Sequence, residues 1–165
     1  APSDAEILRT VSDHIGESLT SEERFSDAKR SVCQHPGEID QASIDQIAQR
    51  LTELLSNRAQ LETALGSLFS EPKYPDQLES ADPDAFQEWL KDAQEFGIEI
   101  TPNNRLLYLE GEQFKLFCNG EPITVDESEK ELAKQLANQG YLSGGEVNLE
   151  NQALLKQLFL NGVVQ

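Results

Sequence analysis

The segment from Phe114 to Val125 reads Phe-Lys-Leu-Phe-Cys-Asn-Gly-Glu-Pro-Ile-Thr-Val and is typical of a β-hairpin. Apolar residues alternate with their neighbours up to Cys118, as in a strand with one buried face. Asn119-Gly120 follows, and both residues tolerate the positive φ that a two-residue turn requires. Ile123-Thr124-Val125 is therefore predicted to be the return strand of the hairpin.

The residues before the hairpin predict a helix and two more strands. Asp82-Pro83 supplies a cap and a proline for the first helical position. An amphipathic stripe follows, and Gly97 can end the helix in the left-handed conformation. Ile98 and Ile100 then alternate as in a strand, and residues 107–109 form the next apolar run. The predicted order is helix, strand, strand, hairpin.

The residues after the hairpin predict two short helices. Asp126 or Ser128 can cap the first of them, which Gly140 ends. Apolar residues between 154 and 159 mark the second, which Gly162 ends, and a short terminal strand follows. Helices of this size around a small antiparallel sheet indicate an α+β fold, and residues 83–165 are predicted to form a winged-helix-like domain.

The amino-terminal part of the chain is predicted to be helical. Ser3 and Glu6 form a capping-box pattern ahead of a helix at about 3–17. Two further amphipathic patterns, joined by a tight turn, follow a long polar segment. Residues 1–72 are therefore predicted to be a helical dimerisation region. Residues 71–82 have two prolines, four acidic residues and no periodicity, and residues 73–82 are predicted to be a linker.

The helical stripes predict self-association. Three helices make a thin bundle, which leaves a large apolar patch unless another chain covers it. The alternative is that the stripes pack against the second half of the same chain. If a second copy covers them, the expected dimer-interface residues are Ile7, Leu8, Val11, Ile15, Ile44, Ile47, Leu51, Leu54, Leu55, Leu61, Leu65 and Leu68.

Composition argues against nucleic acid and membrane partners. Among 165 residues, 30 acidic and 13 basic side chains give a net charge of −17, which repels phosphate. The candidate recognition helix around 149–160 has a single cation, Lys156. A transcription factor would have to bind duplex DNA at moderate salt. No apolar run is long enough to span a bilayer, and a cytoplasmic protein is expected.

The residues that could carry catalysis are few and scattered. The two histidines, His14 and His35, belong to no His-x-Asp/Glu pair, so we expect no metal site in this chain. Cys33 and Cys118 are far apart and are expected to be unlinked thiols. Acidic pairs such as Glu127/Glu131 are expected to be solvated. The chain alone is therefore predicted not to be an enzyme.

The order of several short segments resembles the C-terminal half of the bacterial ribosomal oxygenases, JmjC-type cupin enzymes. The matching segments are Ala1-Pro2-Ser3, Arg24-Phe25-Ser26-Asp27, His35-Pro36-Gly37-Glu38-Ile39, Phe69-Ser70-Glu71-Pro72-Lys73 and Asn119-Gly120-Glu121. No segment is specific to the family by itself, but together the segments occur in the family's order over nearly the whole chain. The family has a helical dimerisation region followed by an acidic winged-helix domain. One departure is Gly162-Val163-Val164-Gln165, where aromatic residues are usual, and it leaves the packing of the last strand open.

The resemblance implies a non-catalytic part of a larger enzyme. Such an enzyme uses Fe(II) and 2-oxoglutarate to hydroxylate a ribosomal protein, but the iron-binding His-x-Asp motif has no counterpart here. The chain would act as a homodimer that supports the catalytic barrel, with no cofactor of its own. A loop at 19–39 would brace the two copies through Phe25, Asp27, His35 and Pro36. The alternative is a free-standing acidic adaptor that binds a basic protein, for example a ribosomal one.

Overall fold

The computed structural model describes residues 2–19 and 40–165. The chain divides into two compact units, and the boundary in the sequence lies between Leu65 and Gly66. The sequence instead places a linker at 73–82. Residues of that segment are attached to the second unit: Ala81 donates its N–H to the Leu160 carbonyl at 3.4 Å, and Asn103 donates to Gln77 at 3.0 Å. The two units are described separately below.

The first unit is helical. It contains α1 (Asp4–Ser18), α2 (Gln41–Leu55) and the first part of α3 (Arg58–Ser70). Ser3 and Glu6 form the predicted capping box: the Glu6 N–H donates to Ser3 Oγ at 3.3 Å, and the Ser3 N–H donates to Glu6 Oε2 at 2.6 Å. These bonds satisfy backbone donors that the first turn of α1 leaves without an intrahelical partner.

The second unit combines helices with two small antiparallel sheets. Its helices are α4 (Phe86–Phe96), α5 (Lys130–Gln139) and α6 (Gln152–Leu160). Its strands are β1 (Ile98–Glu99), β2 (Leu106–Glu110), β3 (Phe114–Cys118), β4 (Glu121–Ile123) and β5 (Tyr141–Leu142). The sheet orders are β2-β3-β4 and β1-β5. The α+β fold class is thereby confirmed.

The predicted turn joins β3 to β4. Asn119 has φ of 51° and Gly120 has φ of 92°, the positive values that a tight hairpin turn requires. Cys118 pairs with Glu121 directly across the turn, and Leu116 pairs with Ile123. The return strand is therefore Glu121–Ile123, not 123–125 as predicted, because pairing starts at the first residue after the turn.

The smaller sheet brings the end of the chain into the second unit. Ile98 in β1 pairs with Leu142 in β5, a strand that the sequence patterns did not predict. On the other edge of β1, Ile100 forms a bridge with Val164. Val163 and Val164 are buried, at 0% and 4% exposure. Small β-branched residues therefore pack well at the position where the sequence left the packing of the last strand open.

One contiguous core stabilises the second unit. Its buried residues are Phe86, Leu90, Ala93, Ile98, Leu106, Leu116, Cys118, Leu132, Ala133, Leu136, Leu142, Val147, Leu154, Leu155, Leu158, Phe159, Val163 and Val164. Within this unit the buried Glu129 carboxylate accepts hydrogen bonds from the N–H groups of Leu154, at 2.8 Å, and Asp126, at 3.1 Å. This acidic side chain thus joins the start of α6 to the turn before α5.

Candidate association surface

The outer face of α2 carries large aliphatic side chains that the described residues do not cover. Asp40 starts the helix by accepting the Ala42 N–H at 3.2 Å. Positions three and four residues apart then share one face of the helix. The exposed fractions on that face are 45% for Ile44, 46% for Ile47, 54% for Leu51 and 39% for Leu55. We call these four side chains the α2 apolar face.

The opposite side of α2 is polar and bonded along the helix. Gln41 donates to Asp45 at 3.0 Å, and Gln49 donates to Glu53 at 3.0 Å. Arg50 forms an ion pair with Glu53 at 3.7 Å. Side chains that find partners within their own helix are typical of a water-facing side. The α2 apolar face is therefore the side of this helix that is suited to contact another protein surface.

Some of the predicted interface residues are used inside the first unit. Val11 and Ile15 of α1 are each 4% exposed and form a small core with Ala64. Four other predicted residues pack against this core and are partly buried: Ile7, Leu54, Leu61 and Leu65. Val11 and Ile15 are therefore unavailable to a second copy as the chain stands. Leu8 of α1, at 59% exposure, remains available. Leu68 is half-buried and lies in the second unit.

Residues 20–39 of the predicted bracing loop lie outside the described residues. This applies to all four residues assigned to it: Phe25, Asp27, His35 and Pro36. Cys33 lies in the same range. Their roles stay predictions from the family resemblance.

The described residues contain no group of three or more His, Cys, Asp or Glu side chains that could hold a metal ion. The Glu127/Glu131 pair that the sequence singled out is engaged with lysines, since Glu127 forms an ion pair with Lys130, and Glu131 forms one with Lys134 at 2.9 Å. Burial raises the pKa of the Cys118 thiol to about 12. That thiol stays protonated near neutral pH and is a poor nucleophile.

The lysines and the arginine of the second unit mostly contact other groups of the same unit. Lys134 also pairs with Glu110, and its hydrogen bonds to Glu110 and Glu131 raise its pKa. Lys156, the single cation of α6, lies 5.9 Å from the centre of the Phe86 ring. Arg105 donates to the Phe69 carbonyl at 3.3 Å. No helix among the described residues is long and apolar enough to cross a membrane.

Comparison with models of known protein families assigns the chain to one family. The ROXA-like winged helix family model matches residues 53–165, more than two thirds of the sequence. The chain belongs to the ROXA-like winged helix family. A search of curated protein sequences finds no match.

Similar solved structures come from a ribosomal oxygenase, YcfD of Escherichia coli. The structure of YcfD with cobalt and succinic acid matches with a TM-score of 0.78 at 19% identity. Another YcfD structure matches at 0.77 and 19%, and the complex with cobalt and 2-oxoglutarate matches at 0.76 and 18%. Each match covers 100% of this chain and 46% of YcfD. The chain therefore has the fold of a part of YcfD and spans less than half of its length.

Proposed function

We propose that this chain is a non-catalytic dimerisation and winged-helix region of a ribosomal oxygenase of the JmjC/cupin type. The α2 apolar face would pair with its own copy, and the winged-helix unit would support a catalytic barrel in the same protein. The fold likeness to part of YcfD supports this proposal, as does membership of the ROXA-like winged helix family.

The single observation that carries the proposal is the exposure of the α2 apolar face. Isolated exposed leucines are common on protein surfaces, but a row of branched aliphatic side chains on one helix face is not. Ile44, Ile47 and Leu51 are each about half exposed. Removing this surface from water would contribute roughly 25 cal/mol for each Å². A second copy of the chain offers a matching apolar face.

A two-fold axis would bring the α2 apolar face onto itself. Most homodimers have this symmetry, and the same patch then serves both partners. A standard interface buries roughly 800 Å² on each side, which is more than one helix face supplies. Leu8 and the predicted loop at 19–39 are candidates for the rest of the area. Antiparallel pairing of α2 with its copy would also place the positive end of each helix dipole beside the negative end of the other, which is electrostatically favourable.

The reaction cofactors would belong to the catalytic barrel. Fe(II) and 2-oxoglutarate are expected for the whole enzyme, and two of the matching YcfD structures hold cobalt with succinic acid or 2-oxoglutarate. The described residues of this chain do not fit an iron centre, because no three of their ligating side chains come together. The function proposed for this chain is therefore assembly. The ribosomal-protein substrate would be bound by the whole enzyme.

The charge distribution disfavours DNA binding by the winged-helix unit. A groove-reading helix needs basic side chains that are free to reach phosphates. In α6 the single cation lies over an aromatic ring, and Lys130 and Lys134 are in ion pairs with glutamates. A net charge of −17 opposes approach to a polyanion.

The test is sedimentation equilibrium of the 165-residue chain at micromolar concentration. We expect a dimer that Leu51→Asp dissociates, with at least a hundredfold weaker association, because two unpaired carboxylates would be buried in an apolar interface. Gln46→Asp is the matched control, since it adds the same charge on the opposite side of α2. It should leave the dimer intact.

Circular dichroism separates loss of association from loss of folding. Leu51 is 54% exposed, so Leu51→Asp should keep the helical signal. A chain that is monomeric at all concentrations would contradict the proposal. Equal weakening by Leu51→Asp and Gln46→Asp would contradict it too, because association would then depend on total charge rather than on the α2 apolar face.

A further inference from the structure

A cleft in the second unit has no role in the dimerisation proposed above. It measures about 740 Å³ and lies between α4, β1 and β5. Its apolar lining consists of Trp89, Ala93, Phe96, Ile98, Tyr141 and Leu142. Ala93, Ile98 and Leu142 are buried, and they belong to the main core of the unit. The base of the cleft is therefore part of the rigid core of the winged-helix unit.

Gly97 gives the cleft its shape. This residue follows α4 with φ of 90°, and a Cβ placed on it would lie 2.4 Å from the Leu142 carbonyl oxygen. Only glycine allows this close approach of the end of α4 to β5. The chain turns at once from α4 into β1, so Ile98 enters the core while Phe96 stays outside. The cleft is thus preformed by backbone geometry.

Aromatic side chains line the cleft and face water. Phe96 is 77% exposed, the highest value among the large hydrophobic side chains of the described residues, and Tyr141 is 57% exposed. Trp89 is partly buried, and its ring packs against Phe86 and Phe159, with ring centres 5.8 Å and 4.8 Å away. Exposed aromatic faces carry a negative electrostatic potential and attract cations.

The charged groups around the cleft are mainly carboxylates. Asp92 and Glu99 line it, and Glu88 and Glu95 lie on the same helix, α4, whose one cation is Lys91. Within residues 2–19 and 40–165, neither Asp92 nor Glu99 takes part in an ion pair. Their negative charge is therefore available to a ligand and is complementary to a basic one.

We propose that this cleft binds an arginine- or lysine-bearing segment of a basic protein. Guanidinium or ammonium groups would lie against Phe96 and Tyr141 and pair with Asp92 and Glu99. The apolar parts of the segment would fill the base of the cleft beside Trp89. The proposal rests on charge complementarity at a preformed aromatic cleft, and it does not depend on dimerisation through α2.

Intrinsic fluorescence can test this proposal, because Trp89 is the only tryptophan of the chain and lines the cleft. The probe is a short capped peptide with three arginines spaced by alanine and leucine. We expect saturable binding at low salt that weakens as salt is added, because exposed charges are screened. The same peptide with glutamine at each arginine position should bind at least tenfold more weakly.

Two double variants locate the binding site. Phe96→Ala with Tyr141→Ala should weaken binding about tenfold by removing the aromatic contacts. Asp92→Asn with Glu99→Gln should weaken it about fivefold, as expected for two exposed charge pairs. The matched control for the second variant is Glu112→Gln with Glu121→Gln, which changes the net charge equally at exposed positions outside the cleft. It should change affinity less than twofold.

Three outcomes would overturn the proposal. The first is absence of binding at low salt. The second is equal weakening by the cleft carboxylate variant and its control, which would indicate attraction to the net charge alone. The third is equal affinity for the arginine and glutamine peptides, which would indicate a purely apolar site. Repeating the titration with Leu51→Asp separates this proposal from dimerisation, since peptide affinity should be unchanged there.

Discussion

The two units of the chain differ in how they protect their apolar side chains from water. In the second unit, eighteen buried residues form one core. In the first unit, the described residues form a core of only Val11, Ile15 and Ala64, with four partly buried neighbours. The first unit also has most of the exposed large aliphatic side chains, including Ile47 and Leu51. The helices of the first unit therefore have more apolar surface than their packing against one another buries.

This difference indicates which unit can be stable alone. Core burial is the main favourable contribution to folding, and a domain of about a hundred residues with one continuous core is ordinarily self-sufficient. Three helices with a small shared core gain less from their own packing. We therefore expect the second unit to be a stable scaffold and the first to gain stability from its partner.

The largest expected contrast is between two leucines. Leu155→Ala, at a position with 0% exposure, should lower the free energy of unfolding by about 3 kcal/mol, because it leaves a cavity in the core. Leu51→Ala should change it by less than about 0.5 kcal/mol at protein concentrations below those at which the chain dimerises. Urea unfolding followed by circular dichroism measures both. Equal losses at low concentration would mean that Leu51 is buried within its own chain.

A glycine pair gives an intermediate contrast. A Cβ added to Gly66 in the second unit would lie 2.2 Å from the Phe117 ring, whereas one added to Gly16 in α1 would meet nothing within 4 Å. Gly66→Ala should therefore destabilise by about 2 kcal/mol through overpacking. Gly16→Ala should stabilise α1 by about 0.5–1 kcal/mol. Thermal unfolding of both variants should show shifts of opposite sign, and shifts of the same sign would contradict the packing described for Gly66.

A pair of serine caps gives the smallest contrast. Ser3 in the first unit and Ser143 in the second each donate a side-chain hydrogen bond to a glutamate three residues on, Glu6 and Glu146. Replacing either serine with alanine should lower stability by about 1 kcal/mol or less near neutral pH. Ser3→Ala should mainly increase fraying of α1, and hydrogen exchange resolves the two sites.

The same two caps predict a dependence on acid. Hydrogen bonds from the Ser3 backbone and side chain lower the pKa of Glu6, and those from the Ser143 side chain and backbone lower the pKa of Glu146. A lowered pKa in the folded state stabilises the fold above the unfolded value of about 4.5, and this stabilisation is lost as the pH falls through the folded value. The alanine variants should therefore lose less stability in acid than the parent chain. An equal loss in all three would show that the two serine hydroxyls do not contribute, since the backbone N–H bonds to Glu6 and Glu146 remain in the variants.

Much of the fold could be predicted from local patterns. The Asn119-Gly120 turn, the capping box at Ser3 and the apolar stripes of the helices depend on neighbouring residues alone, and the structure confirms them. β5 escaped prediction because two residues, Tyr141 and Leu142, are too few to show alternation. The role of Glu129 also escaped, since its bond to Leu154 joins residues that are distant in the sequence.

The candidate sites were less accessible to sequence analysis. Helical periodicity predicts the apolar stripes but not which of them pack inside their own chain. The predicted interface therefore includes the buried Val11 and Ile15 together with the exposed Leu51. The cleft beside α4 combines residues of separate elements. Its one local signal is Phe96, an aromatic residue directly before the helix-ending Gly97 and outside the buried stripe of α4. Only the tertiary structure places Tyr141 next to it.

The most direct test of the central claim measures the distance between α2 and its copy. A nitroxide attached through Gln49→Cys, in a Cys33→Ser background, lies on the polar side of α2 and should leave the interface undisturbed. Packed helices have axes roughly 8–10 Å apart. Pulsed dipolar spectroscopy of the dimer should therefore give one distance well under about 30 Å, and Leu51→Asp should abolish it. A dimer of full mass with no such distance would show that another surface pairs the two copies.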